Sequence, residues 1–114
     1  MVARLKLTKG FNAVYRYGKW ARGGSLSVGF LLNNQKPLRV GLRLRRGVKG
    51  STVRNRLKRQ LRAHLQELSK QLRTGIDLVI VIHPKRIPIE SARLKEELYN
   101  LCNRSGLISQ ARQE

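Results

Sequence analysis

The chemically most active part of the chain is the run from Val53 to Arg62, where two arginines flank Asn55 and three more cations follow. Guanidinium and ammonium groups stay charged at neutral pH, so they do not act as acids or bases there. They do bind phosphate oxygens, and arginine does so through paired hydrogen bonds. These residue types therefore predict phosphate recognition. The candidate contacts are Arg54, Asn55, Arg56, Lys58, Arg59 and Arg62.

An amphipathic helix must position this run. Apolar residues recur at three- and four-residue steps over 53–72, which predicts one buried stripe opposite the basic side chains. Ser51 or Thr52 is the expected N-cap, so Arg54 and Arg56 would lie in the first turn, beside the positive end of the helix dipole. Each cation there costs about 0.3–1 kcal/mol, and a bound anion would reverse the sign. The helix start therefore predicts a phosphate site.

Charge is distributed unevenly along the chain. The 25 Lys and Arg residues exceed the 6 Asp and Glu residues by 19, far more than solubility requires. Residues 1–66 contain 17 of the basic residues and none of the acidic ones, which gives +17 there and +2 in the remainder. A generically solvated basic surface would intersperse acids among the bases. We therefore expect a polyanionic partner.

Length and cysteine content limit the class of protein. A chain of 114 residues, 40% of them hydrophobic, can build one core but not two, so we expect a single RNA-binding domain over 1–114 with a frayed end at 109–114. Cys102 is the single cysteine, which excludes an internal disulfide and favours a reducing compartment. No apolar run reaches the length of a signal peptide or a membrane helix. The expected location is the cytoplasm.

A short helix is predicted over Lys9–Tyr17, with Thr8 as its cap and Gly18 as its left-handed terminator. Its aromatic face leaves two interpretations open. The face either packs on the core or leaves one or two rings accessible for stacking on unpaired bases, worth about 1–3 kcal/mol per base. The rings in question are Phe11 and Tyr15, next to Val14. Trp20, in the basic loop that follows, leaves the same choice, and anchoring of the loop is favoured.

Two half-buried strands are predicted next, because apolar residues alternate over Ser25–Leu32 and again over Leu38–Arg45. The Asn-rich turn between them predicts a hairpin. The outer face of the second strand would show Arg39, Arg43 and Arg45, about 6.6 Å apart per two-residue step. That spacing is comparable with the repeat of phosphates along a nucleic acid strand, so we predict a binding rail. A solvated ladder is the alternative, but like charges side by side repel.

The remaining elements surround the basic helix. Loop 46–50 contains glycines that allow close approach to a phosphate, with Arg46 and Lys49 as candidate contacts. Residues 76–82 are almost continuously branched and apolar, which predicts a strand at the centre of the sheet. A last helix is expected at about 89–104, ended by Gly106.

The sequence offers no arrangement of residues for catalysis. A protein nuclease would need carboxylates around metal ions, or a histidine pair. The acids are dispersed, and no cysteine and histidine spacing suits zinc. His64 falls on the apolar side of its helix and is expected to be packed and hydrogen-bonded. The residues therefore predict an RNA-binding module with no catalytic residue and no protein-bound metal.

The run from Val53 to Arg62 resembles the signature of the protein subunit of bacterial ribonuclease P, and the resemblance extends over nearly the whole chain. The other matching stretches are Arg4-Leu5, Phe11 and Tyr15 before Gly18, Val40-Gly41-Leu42, residues 76–82 and Arg104-Ser105-Gly106-Leu107. The resemblance implies an α+β fold, a small α/β sandwich in the order helix, three strands, helix, strand, helix, with an uncommon left-handed crossover. It also implies that the brief first strand lies at Lys19–Arg22.

The resemblance further implies roles for these residues. The basic helix would face the catalytic RNA subunit, while Phe11 and Tyr15, joined by the predicted arginine rail, would receive the single-stranded 5′ leader of precursor tRNA. The RNA would remove the leader with Mg²⁺, and the protein would raise substrate affinity and support metal binding by the complex. The expected partners are thus the RNA subunit and precursor tRNA, with no membrane and no DNA.

One stretch departs from the family pattern. Between Leu42 and Arg54 the charge is higher than in the family, and a glycine is displaced to Gly47, which leaves the loop conformation open. A ribosomal protein or RNA-assembly factor is the main alternative, because it would share the basic surface, the small α/β fold and the lack of catalytic residues.

Overall fold

A mixed five-stranded sheet organises the chain. The computed structural model describes residues 3–4, 9–34, 37–45, 50–83 and 90–108. In chain order the elements are β1 (Ala3–Arg4), α1 (Lys9–Tyr17), β2 (Lys19–Arg22), β3 (Leu26–Leu32), β4 (Arg39–Leu44), α2 (Ser51–Leu68), β5 (Ile76–Ile82) and α3 (Ser91–Arg104). The expected α+β order of helix, three strands, helix, strand and helix is confirmed from α1 onward.

β5 occupies the middle of the sheet, as its continuous apolar sequence predicts. The strand order is β1-β4-β5-β3-β2, with β4 parallel and β3 antiparallel to β5. All residues from Ile76 to Ile82 are buried. Neighbouring strands satisfy the backbone of β5 on both sides and helices cover both of its faces, which is why polar residues do not alternate along it.

The predicted hairpin between the strands now named β3 and β4 is wrong. These two strands do not pair, because β5 lies between them. β3 pairs antiparallel with β2 instead, from Lys19↔Phe30 to Arg22↔Ser27. β3 is also more than half-buried, since residues 26–29 are covered on both faces. Alternation gives the faces of a strand, but it does not identify the neighbours of that strand.

Helices cover both faces of the sheet to different extents. α2 and α3 pack on one face, where Leu61 and Leu94 join the main core. α1 lies on the other face and places Phe11 against Val79 and Val81 in a smaller core. With 9 residues, α1 is about 13 Å long, whereas five strands span about 19 Å. Part of the α1 face of the sheet therefore stays open.

The ends of α2 differ from the prediction. Gly50, and not Ser51 or Thr52, is the N-cap, and its φ of 90° lies in the left-handed region that favours glycine. No side chain caps the helix start. The helix ends at Leu68, after which Leu72 forms an isolated bridge with Ile108.

Gly18 ends α1 for a different reason from the one predicted. It has no positive φ. A Cβ at this position would instead collide with the carbonyl oxygens of Val14 and Phe30. The glycine is therefore needed for the close approach of α1 to β3, and not for a left-handed turn.

Two features complete the fold. β1 adds a two-residue strand parallel to β4, too short for any sequence pattern to predict. β4 and β5 are parallel and are connected through α2. This is the connection for which the family resemblance implies a left-handed crossover. Thr8, Arg46, Lys49 and the tail 109–114 lie outside the described residues. None of the helices described here is long and apolar enough to cross a membrane.

Candidate nucleic-acid interface

The open part of the sheet beside α1 forms a cleft of about 660 Å³. Its floor follows one row of paired residues across four strands, from Arg22 to Ser27 to Val81 to Arg43. The lining consists of Tyr15, Trp20, Arg22, Ser27, Arg43, Leu44, Arg45, Val81 and His83. The cleft therefore combines aromatic, cationic and hydroxyl groups from α1, β2, β3, β4 and the end of β5.

Stacked aromatic rings form the wall of the cleft on the α1 side. The rings of Tyr15 and Trp20 lie parallel, with centroids 5.3 Å apart and an interplanar angle of 8°. The guanidinium carbon of Arg43 lies 5.8 Å from the centroid of the Tyr15 ring, within reach of a cation–π interaction. Such a pair of rings offers a flat aromatic surface on which an unpaired base can stack.

Two glycines let aromatic rings lie directly on the sheet. Gly29 and Gly41 occupy the row next to the cleft floor, on either side of Val79. A Cβ at Gly29 would overlap the indole of Trp20, and one at Gly41 would overlap the ring of Phe11. The spacing of small residues on β3 and β4 therefore fixes the height of the aromatic wall above the sheet.

Positive charge lies at both sides of the cleft floor. Arg22 on β2 and Arg43 on β4 are exposed and separated by three strand spacings, or about 14 Å. Arg45 adds a third exposed guanidinium at the β4 end. No acidic residue occurs among the side chains that line the cleft. A chain of phosphates crossing the sheet would meet cations at both ends of its path.

The two predicted aromatic contacts are placed differently. Tyr15 is 40% exposed and faces the cleft, whereas Phe11 is 3% exposed and lies against Gly41. A base has access to the ring of Tyr15 alone. Phe11 packs α1 onto the sheet, which corresponds to the core interpretation of the sequence, and it supports Tyr15 one helical turn away.

Arg39 is separated from the other members of the predicted arginine rail. Its Nε and Nη2 atoms donate hydrogen bonds of 2.7 Å each to the carboxylate of Asp77, which is its partner in the β4–β5 register. Asn33 donates a further bond to the same carboxylate. Hydrogen bonding to the Asp77 carboxylate is the main cause that raises the pKa of Arg39. The structure thus holds Arg39 in an ion pair outside the cleft, while Arg43 and Arg45 line it.

The predicted basic face of α2 is a second surface. Leu57, Leu61, Leu65 and Leu68 are buried. The candidate contacts lie away from this stripe: Asn55, Arg56, Arg59 and Arg62 are exposed, and Arg54 and Lys58 are half-buried. The first turn contains no acidic residue, so its free N–H groups and these cations together favour an anion.

The two basic surfaces are consecutive in the chain. β4 contributes Arg43 and Leu44 to the cleft, Arg45 follows, and α2 begins at Ser51. The intervening Arg46 and Lys49, both candidate contacts, are outside the described residues. One nucleic acid partner on α2 and another in the cleft would therefore approach each other near the end of β4.

Sequence reasoning missed four residues of the cleft or left them open. For Trp20 the sequence allows either anchoring of the loop or stacking on a base. Arg22, Ser27 and His83 are not among the candidates. Ser27 approaches His83 across the β3–β5 pair, with 2.7 Å between Oγ and Nε2. Only the strand order brings these residues together, and the one available signal was the basic character of the segment around Trp20.

A groove of about 560 Å³ between α2 and α3 has a different character. His64 is hydrogen-bonded to Ser91 at 3.0 Å, which confirms the packed role expected for it. Lys95 and Glu67 form an ion pair of 3.0 Å, and the hydrogen bond from this lysine lowers the pKa of the Glu67 carboxyl. Tyr99 is 39% exposed at the rim of the groove. This surface lies on the side of the sheet away from the cleft.

The one cysteine of the chain lies in the core, away from both surfaces. Burial raises the pKa of the Cys102 thiol to about 12, which keeps it protonated and unreactive. Within the described ranges no group of three or more His, Cys, Asp and Glu residues could hold a metal ion.

Comparisons with known proteins agree with this architecture. The family model for ribonuclease P matches residues 2–106. Ribonuclease P protein components from Synechocystis and Bacillus cereus are 37% and 30% identical to this chain, over 92% and 91% of it and 86% and 91% of their own lengths.

Solved structures show the same fold. The ribonuclease P protein from Thermotoga maritima is 26% identical and superposes with a TM-score of 0.78, over 89% of this chain and 96% of its own. The Staphylococcus aureus protein, at 15% identity, matches in fold with a TM-score of 0.84, over 96% of this chain and 100% of its own. On the strength of the family match and of these relatives, the chain belongs to the ribonuclease P protein component family.

Proposed function

We propose that this protein, as the protein subunit of ribonuclease P, binds the catalytic RNA subunit through the exposed face of α2 and the single-stranded 5′ leader of precursor tRNA in the cleft beside α1. The complex is an endoribonuclease that removes the leader to give the mature tRNA 5′ end. In this proposal the RNA subunit performs the cleavage with Mg²⁺ that the RNA holds, and the protein supplies affinity for the substrate.

The observation that carries the proposal is the chemistry of the cleft. A stacked Tyr15–Trp20 pair lies beside three exposed arginines, with no carboxylate among the lining residues. Stacking acts on the flat face of any base, and guanidinium groups act on any phosphate, so the cleft suits single-stranded RNA without regard to sequence.

Some of the proposed residues would touch the RNA, and others would position those that do. In the cleft, Tyr15, Arg43 and Arg45 would touch the leader, Phe11 would hold α1 in place, and Arg39 would contribute through its ion pair with Asp77. On the α2 surface the contacts would be Arg54, Asn55, Arg56, Lys58, Arg59 and Arg62, with Arg46 and Lys49 as further phosphate contacts. Because the RNA partners act there, we place the complex in the cytoplasm.

A ribosomal protein or RNA-assembly factor is not favoured as an alternative, because the family model and the relatives are ribonuclease P proteins. Reconstitution with a bacterial ribonuclease P RNA at low Mg²⁺ tests the choice directly. The protein should stimulate formation of the mature tRNA 5′ end, and it should bind leader-bearing precursor more tightly than mature tRNA when complexed with the RNA. Equal binding of the two tRNAs would reject the leader assignment.

The α2 surface can be tested by the salt dependence of binding to the RNA subunit. Arg59→Ala should make the slope of log affinity against log salt shallower by about 0.7–0.9, the value for one lost phosphate contact. Arg93→Ala is the matched control, since Arg93 is also an exposed arginine, on α3. An equal change of slope in the two variants would show that α2 contributes only net charge.

A further inference from the structure

His83 follows β5 and lies on the floor of the cleft. Its Nε2 atom is 2.7 Å from Oγ of Ser27 on the adjacent strand, and its backbone N–H donates to the carbonyl oxygen of Ser25 at 2.8 Å. The side chain is half-buried and lines the same cleft as the arginines. The sheet therefore holds the imidazole in a fixed position on the path of the RNA.

The charged and titratable groups around this imidazole come from four elements. Arg22 from β2, Arg43 and Arg45 from β4 and the phenol of Tyr15 from α1 line the cleft with it. On α3, the carboxylate of Glu97 accepts hydrogen bonds from the backbone N–H groups of Ser25 and Leu26, on the strand next to His83. Arginine stays protonated and tyrosine stays neutral in this range, whereas histidine changes charge between about pH 5 and 8. Among the described lining residues, His83 is therefore the one side chain of a type that gains or loses a charge in this pH range.

The hydroxyl of Ser27 changes its role with the proton on His83. When Nε2 of the neutral ring accepts a hydrogen bond, the hydroxyl hydrogen points at the ring. When Nε2 carries a hydrogen, as it does in the imidazolium, the ring donates to Oγ, and the hydroxyl of Ser27, which is 5% exposed at the cleft floor, can donate to another acceptor. From the tautomer in which Nε2 accepts, uptake of one proton adds one positive charge and turns the hydroxyl of Ser27 into a donor for the cleft. Both favour a phosphate oxygen.

We propose that His83 and Ser27 form a proton-linked contact for the phosphates of single-stranded RNA in the cleft. The proposal rests on the proposed function, because it takes the cleft as the leader site. If protonation of His83 strengthens RNA binding, RNA binding must draw a proton onto His83 by the same factor. RNA binding is then tightest at a pH where His83 of the RNA-free protein is already protonated. It weakens as the pH rises until His83 of the RNA-bound protein has also lost its proton.

Trp20 provides a direct probe of the cleft. It is the single tryptophan of the chain, and its ring stacks on Tyr15 in the cleft wall. We would titrate the full-length protein with single-stranded oligouridylate at constant ionic strength, between about pH 5 and 8, and follow the Trp20 fluorescence. The wild type should bind about tenfold more tightly at the acid end, the effect of one unit of differential protonation.

Variants of His83 separate charge from packing. His83→Asn retains a hydrogen-bonding side chain beside Ser27 and should bind with the same affinity across the pH range. His83→Lys fixes the positive charge and should bind tightly throughout. Ser27→Ala should lower the affinity at the acid end by about twofold to tenfold, because it removes one hydrogen bond worth about 0.5–1.5 kcal/mol. An unchanged affinity in Ser27→Ala would remove the hydroxyl from the proposal.

The second histidine is the matched control. The chain contains 2 histidines, and His64 is also bonded to a serine, Ser91, but in the groove between α2 and α3. His64→Asn should keep the pH profile of the wild type. If His83→Asn keeps the pH dependence of the wild type, the inference is overturned. If that variant does not fold, a wild-type pH dependence in His83→Lys overturns it equally.

Failure of the proposed function gives a different result. If the reconstituted complex binds leader-bearing precursor and mature tRNA equally at every pH, the leader assignment is wrong. If the preference for the leader is present but the pH profile is flat in the wild type, only the proton-linked contact is wrong.

Discussion

Two grooves on opposite sides of the sheet contain the same kinds of side chain, and their surroundings give them opposite properties. The cleft beside α1 has Tyr15, 40% exposed, and the groove between α2 and α3 has Tyr99, 39% exposed. Each also contains a histidine hydrogen-bonded to a serine. Their volumes are similar, about 660 and 560 Å³. Shape, aromatic content and the histidine–serine pair therefore do not distinguish an RNA-binding groove here.

Charge does distinguish the two grooves. Three arginines and no acidic residue line the cleft. The groove contains Glu67 and Glu96, and its one lysine, Lys95, is bonded to Glu67. A phosphate in the cleft meets guanidinium groups, whereas a phosphate in the groove meets carboxylates. The comparison indicates that the distribution of acids, more than the presence of a groove, makes the cleft, and not the α2–α3 groove, the candidate site for a phosphate chain.

The largest expected effect concerns the core beneath the α2–α3 groove. Burial raises the pKa of Cys102 from its ordinary 9.0 to about 12, because the apolar surroundings disfavour the charged thiolate. Below pH 9 the thiolate fraction in the folded protein is then about a thousandfold smaller than in the unfolded chain. Alkylation of Cys102 by iodoacetamide, followed by mass spectrometry, should be slower in the native protein by orders of magnitude.

The denatured protein in the same reagent is the control for Cys102. Native alkylation at a comparable rate would break the comparison, since it would mean that α3 leaves the sheet and that the groove opens into the core. Slow alkylation that accelerates only with denaturant would support a groove closed at its base.

The second effect compares the two tyrosines. Tyr15→Ala should weaken binding of leader-bearing precursor to the reconstituted complex by about 1–3 kcal/mol, the contribution of one base stacked on an aromatic ring. Binding of mature tRNA should not change. Tyr99→Ala removes a ring of nearly equal exposure from the other groove and should leave both affinities unchanged. Equal losses in the two variants would show that neither tyrosine recognises the leader.

Much of the fold follows from local patterns. The apolar run of β5 predicted a central strand, the leucine stripe predicted the buried side of α2, and the alternation in β4 predicted which face shows Arg43 and Arg45. These features depend on periodicity within one element, so the sequence contains them directly. The helix caps depended on local geometry that the residue types did not specify, as Gly50 shows.

The cleft could be predicted only in part, because it depends on strand order. The sequence paired β3 with β4, whereas the insertion of β5 between them brings Ser27 next to His83. The same insertion pairs Arg39 with Asp77 and so separates it from Arg43, although both arginines lie on the same face of β4. Alternation alone could not distinguish an arginine in an ion pair from one that lines the cleft. The resemblance to the ribonuclease P protein supplied the fold order but not these pairings.

The smallest expected effect comes from the ion pair of the α2–α3 groove. Glu67 and Lys95 are 64% and 53% exposed at their side chains, so solvent and salt screen the attraction. Glu67→Gln should not change leader affinity and should barely change the free energy of unfolding at neutral pH, measured by urea denaturation. Any loss should disappear as the pH falls, because the lowered pKa of Glu67 stabilises the fold only above the pKa of the unfolded chain.

A gain in RNA affinity in Glu67→Gln would show a difference between the two grooves that the Tyr15 and Tyr99 variants do not test. It would mean that this carboxylate repels RNA from a groove that otherwise has the ring and the hydrogen-bonding groups to bind it. An unchanged affinity would show that the groove lacks the cations needed to attract a phosphate even when one carboxylate is neutral. In that case the arginines at both ends of the cleft floor, and not repulsion by the α2–α3 groove, would direct the leader to the cleft.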